Sequence, residues 1–234
     1  MDLFKYKTTR MGLHVHLVFV RPLVDWTDTT PRFIEMVFQA LENKIRLSPS
    51  EFSAVGGGSL GDLRAKYAIY GGGTSVTLQS DKLAFDFPNL IQTDLTTVAD
   101  IMRSIHDAFP SAFPEVSYNK IDVQSYEHLE LENNAAVATF LNRYALPGLA
   151  DAFGEPTVTY PGVRFTVAAA DQRWECVFSV DRSLLSPAAV FAALQLSLRE
   201  VDNASPYDEK AARVTKFANA CYKLVGLEDA KRVI

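Results

Sequence analysis

Two short stretches carry residues whose types and spacing could do chemistry together. His14 and His16 alternate in GLHVHLVFV, residues 12–20, and His128 and Glu130 alternate in YEHLELE, residues 126–132. Imidazoles at positions i and i+2 of a strand lie on one side of it and can reach one ion. His128 with Glu130 would complete a mixed nitrogen and oxygen set suited to zinc, iron or manganese. Paired histidines can also serve as base and acid on a phosphodiester. The same alternation is what the wetter face of an ordinary strand presents. No metal or cofactor is therefore assigned, and His14, His16 and His128 are the ligands if an ion is held.

The tetrapeptides His14-Val15-His16-Leu17 and His128-Leu129-Glu130-Leu131 are similar to the strand motifs of the 2H phosphoesterases. That resemblance implies a two-lobed chain in which His14 and His128 act as base and acid and a hydroxyl residue two positions on holds the phosphate. Here His16 and Glu130 stand at the hydroxyl positions, and a carboxylate repels the phosphate it should hold.

Other groups point elsewhere. His106 falls at the edge of a helical stripe, a flank position rather than a ligand. Asp25 and Asp28 beside Trp26 have the polarity of a helix entry, with a carboxylate-centred site as the alternative. Arg164 in GVRFTV and Trp174 in RWECVF are the residue types that anchor protein interfaces, although Trp174 also suits a core. The glycine runs at 56–58 and 71–73 invite a phosphate-loop reading, but both lead into strand-like sequence instead of a helix N-terminus. No HExxH, Walker or EF-hand motif occurs.

These residues need elements to position them. Leu13, Val15, Leu17 and Phe19 alternate with the histidines, which predicts a strand over 13–20. Thr30-Pro31 predicts a helix start, with Phe33, Ile34, Val37, Phe38, Leu41 and Ile45 inward and Pro49 past its end. Glycine-punctuated segments from 51 to 89 predict an antiparallel meander. Val98, Ile101, Met102, Ile105 and Phe109 predict a helix over 94–109, and Pro110 with Pro114 mark a boundary. The order then restarts: a strand at 119–132, a helix from Asn133 ended by PGL at 147–149, and strands at 157–170 and 173–182. Two helices are expected after Ser186-Pro187 and Ser205-Pro206. The first carries Val190, Phe191, Leu194 and Leu198 inward, the second Val214, Phe217, Cys221, Leu224 and Val225, with Gly226 as its C-terminal stop.

Read together, these predict an α+β chain of two pseudo-repeated halves, 1–115 and 116–234, each running strand, helix, antiparallel sheet, helix, with helices on one face. One continuous domain is the alternative to two separate halves. Composition agrees with a folded protein: 48% hydrophobic and 22% charged residues, with a net charge of −5 that offers no general attraction for nucleic acid or anionic membrane. Cys176 and Cys221 read as reduced core thiols, and the absence of a signal peptide or apolar span leads to the expectation of a cytoplasmic chain. The functional expectation is a non-enzymatic protein whose sheet faces or edges engage another protein or a second copy, as in a homodimer. A histidine-dependent metal-binding protein or phosphodiester hydrolase, and a protein with a ligand cavity between sheet and helix, are the alternatives.

Overall fold

The computed structural model describes residues 3–56, 59–69, 73–145 and 161–229. β1 (Phe4–Phe19) leads into α1 (Trp26–Leu41), and β2 (Phe52–Val55), β3 (Arg64–Ile69), β4 (Thr74–Gln79) and β5 (Lys82–Leu90) precede α2 (Leu95–Ala112). β6 (Tyr118–Glu130) and α3 (Asn134–Asn142) follow, then β7 (Val163–Ala168), β8 (Trp174–Arg182), β9 (Ala189–Arg199), α4 (Tyr207–Leu224) and β10 (Leu227–Asp229). The chain is α+β: nine strands run antiparallel in the order β2-β3-β4-β5-β1-β6-β9-β8-β7, and β10 lies parallel to the start of β1. β1 pairs with β6 from Lys7 opposite Glu130 to Phe19 opposite Tyr118, so both halves read from the sequence contribute to one sheet. Among the described residues, no helix is long and apolar enough to cross a membrane.

Alternation sets the two faces of this sheet. Val15, Leu17 and Phe19 of β1, Phe85 and Phe87 of β5, Ile121 and Val123 of β6 and Leu194, Leu196 and Leu198 of β9 are buried beneath the helices. Burying each such side chain contributes roughly 1.5–3 kcal/mol. The opposite face carries His14, His16, Asp86, Asp122, Gln124 and Gln195, which no described helix covers.

Helix ends follow local chemistry, with two corrections to the sequence reading. α1 begins at Trp26, not at Pro31: Asp25 caps it by accepting from the backbone N–H groups of Thr27 and Asp28. Pro31 sits about one turn inside, where it removes a single early hydrogen bond. α2 runs through Pro110 to Ala112, and Arg32 of α1 donates from Nε to the Ala112 carbonyl, satisfying an end the helix leaves open. The five residues predicted for its inward stripe are all buried.

The helix expected after Ser186-Pro187 is instead β9, a strand inside the sheet between β6 and β8. Val190, Leu194 and Leu198 are four apart, and a spacing of four fits a helix stripe and also an even-numbered strand face. Ala192 and Leu196 are buried too, while Gln195 and Arg199 are exposed; that period of two is a strand's. In α4, Cys221 is inward as expected but Leu224 is 62% exposed, and the stripe instead uses Lys210, Ala218 and Tyr222. Gly226 has φ 79°, the left-handed conformation that suits glycine after a helix. The PGL terminator, the first residues of the strand predicted from 157, and parts of both glycine runs lie outside the described residues.

Candidate functional site

Beneath the helices, the inner face of the sheet and the facing sides of α2 and α4 line a cavity of about 160 Å³ that is partly open to solvent. Leu13, Val15 and Leu17 of β1, Phe85 of β5, Ile121 and Val123 of β6 and Leu194 of β9 form its floor. Val98, Ala99 and Met102 of α2 and Ala211, Val214 and Ala218 of α4 form its walls. The space follows from the sequence: alanines at 99, 211 and 218 stand where larger side chains would close the gap. The two helices are held together at one end, where Arg103 bonds Asp208 at 2.7 Å and the His106 ring meets the Tyr207 ring at 5.7 Å.

That end is polar. Lys210 is buried on α4 and its ammonium donates to Tyr118 Oη at 2.6 Å and to the carbonyls of Ser205 at 2.6 Å and Asn203 at 3.2 Å, while His106 Nε2 lies 3.1 Å from it. Tyr118 Oη lies 2.8 Å from His106 Nε2, and His106 Nδ1 lies 2.9 Å from an oxygen of Asp107. One assignment satisfies every atom: Lys210 donates to Tyr118, Tyr118 to His106, and His106 Nδ1–H to the Asp107 carboxylate. No carboxylate among the described residues is within ion-pair distance of Lys210, so its direct partners are hydrogen-bond acceptors, with Asp202 and Asp107 acting at longer range.

Burial sets the proton affinities. It pushes the Lys210 ammonium below its usual range, against an opposing pull from Asp202 and Asp107. It raises the Tyr118 phenol, and raises that of Tyr207 to about 12. His106 is lowered from 6.5, first by burial and further by the Lys210 charge, against Asp107. The unfolded imidazole therefore takes up a proton at a pH where the folded one stays neutral, and acid favours unfolding. Stability is expected to fall as pH drops below about 6.5. His106→Gln should flatten that slope in urea titrations between pH 7 and 5, and an unchanged slope would contradict the assignment.

At the far end, Glu127 is buried on β6 and accepts from Tyr222 Oη at 2.8 Å and from Thr8 Oγ1 at 3.2 Å. The charged side chains on the cavity wall are thus already engaged within the protein.

The residues singled out from the sequence lie elsewhere. His14 and His16 share the outer face of β1, where His14 Nδ1 bonds Asp86 at 2.8 Å and His16 is lowered from 6.5 by burial and by Lys82. His128 is opposite Arg10, four residues along β6 from Gln124, the partner of His14. That offset is about 13 Å, beyond the span over which imidazoles can share an ion. His128 bonds Ser183 and Glu130 lies at the exposed end of β6, so the four residues do not converge. No group of three or more metal-ligating side chains occurs among the described residues. Trp174 faces the helices, its ring 4.7 Å from that of Phe217, whereas Arg164 is exposed on the other face opposite Ser179. They do not form one surface.

His106 is buried, not a flank residue, and Lys210 and Tyr118 were missed. The sequence did hold a signal for Lys210, which is in step with Val214, Ala218 and Cys221 on one helical stripe. The run GGGSLG at 56–61 also spells G-x-G-x-x-G and, from Gly57, G-x-S-x-G. Neither context is present: Ser59 bonds Asp62 at 2.8 Å, and the chain passes through a short 3₁₀ turn into β3, which is antiparallel to β2. Comparison with family models and with curated proteins finds no match to this chain.

Proposed function

We propose that the protein is a non-enzymatic binder of a small, neutral, apolar molecule, held between α2, α4 and the inner face of the sheet. The observation that carries this reading is the cavity of about 160 Å³, whose lining is mostly apolar. Apolar cavities of roughly 150 Å³ stay dry and take up benzene or xenon, because water finds no hydrogen-bond partners in them. A molecule of that size is a single ring, a small fused ring or a short acyl chain. Neutrality follows from the wall: Lys210, His106 and Glu127 are spent on one another's neighbours, so a charged ligand would enter without a partner.

Calorimetric titration tests this with toluene and benzoate, which differ in charge at similar size. Toluene should bind saturably and benzoate at least about tenfold more weakly. Ala211→Phe fills the cavity from α4 and should remove toluene binding while the protein stays folded. Absence of saturable toluene binding, or binding unchanged by Ala211→Phe, would overturn the reading.

A second reading, association with a protein partner or another copy, is favoured by the uncovered face. Tyr126, Phe191 and His128 form a contiguous aromatic group there, with centroids 6.3 and 5.2 Å apart. Aromatic groups rimmed by polar residues are typical of interface centres. Phe191→Glu should then convert an associated species to monomer in light scattering.

A further inference from the structure

Cys176 is on β8 and Cys221 on α4, 45 residues apart in sequence, and their Sγ atoms lie 3.5 Å apart. Both are buried, Cys176 at 1% and Cys221 at 7% exposure. Sulfurs in van der Waals contact mean that the two side chains already point at each other, the condition a bridge needs. We infer that Cys176 and Cys221 form an intramolecular disulfide when the protein meets a small disulfide oxidant such as glutathione disulfide.

The chemistry is thiol–disulfide exchange, and it balances. Cys221, the less buried thiol, loses its proton and attacks one glutathione sulfur, forming a mixed disulfide and releasing one glutathione thiolate. Cys176 then loses its proton and attacks Sγ of Cys221, expelling the second glutathione. The protein gives up two protons and two electrons, and the oxidant leaves as two thiols. The Cys176 thiol hydrogen-bonds Cys221, which lowers the latter and fits it for the first attack.

Closing the bond brings the sulfurs from 3.5 Å to about 2.0 Å. Side-chain rotation with a small shift of α4 toward β8 supplies that approach. The bond closes a loop of 45 residues, a length at which a cross-link restricts the unfolded chain strongly. It also pins α4 beside Ala218, one turn from the wall of the cavity. The covalent step itself does not depend on what the cavity holds.

The test equilibrates the full-length protein in glutathione buffers of rising oxidised fraction, quenches with acid, and reads free thiols and intact mass. Both thiols should disappear together in a monomer about 2 Da lighter than the reduced form, with the melting temperature raised on the order of 10 °C. Cys176→Ala should keep one glutathione on Cys221, because the second attack is removed. Two thiols that stay free, two retained glutathiones on the unaltered chain, or dimers that reduction separates would each overturn the inference.

Discussion

Lys210→Ala is expected to destabilise the fold by about 3–4 kcal/mol, read as a lower urea midpoint with an unchanged slope. The ammonium's three hydrogens serve Tyr118 of β6 and the two carbonyls of the 203–205 turn, and Tyr118 in turn donates to His106 of α2. Truncation removes the donor and leaves those carbonyls without it, and an abandoned buried acceptor costs more than an average hydrogen bond contributes. Lys210→Met keeps the apolar stem and loses only the head, so it should be the milder of the two. A double-mutant cycle with Tyr118→Phe should give a coupling of about 1 kcal/mol or more, because the two atoms share one bond of 2.6 Å. Additive effects would mean that the pair does not act as a unit.

Gly12→Val is expected to cost about 2–3 kcal/mol, although the site faces away from the core. Tyr126 reaches across β1 from β6, and its hydroxyl donates to the Pro88 carbonyl of β5 at 2.9 Å. The ring passes directly over Gly12: a Cβ there would lie 2.0 Å from a ring carbon. Such a contact forces the ring off and breaks its hydrogen bond across three strands, at the place where the pairing of β1 with β5 shifts register. Tyr126→Ala should then rescue Gly12→Val, since an empty space accommodates the valine. Equal destabilisation with and without Tyr126 would place the cost in the backbone instead.

Much of the fold was legible because pattern and packing agree. The alternation of Leu13 to Phe19 gave the second half of β1 but not its start at Phe4, and the stripe of Val98 to Phe109 gave the inward residues of α2 except His106. β9 was not legible, because its spacing of four serves both periods and its alanines, leucines and glutamine favour helices in isolation. Sheet context overrode that preference, with β6 and β8 supplying partners on both sides. The histidines were legible as strand residues but not as neighbours. Which residues of β1 and β6 meet is set by the register, and the register puts Arg10, not His14, opposite His128. The cavity was less legible still. It arises from alanines on α2 and α4 facing across a gap, and small residues on a helix stripe look the same in sequence whether a neighbour fills the space or not.

Methyl-resolved NMR during a toluene titration tests the central claim most directly, because it reports the place as well as the fact of binding. Saturable shifts should concentrate on Leu13, Val98, Met102, Val123, Leu194 and Val214, which surround the cavity, and leave the methyls of Val177 and Leu185 unmoved. Shifts that fail to saturate, or that fall on the outer face of the sheet with the cavity methyls silent, would contradict the account.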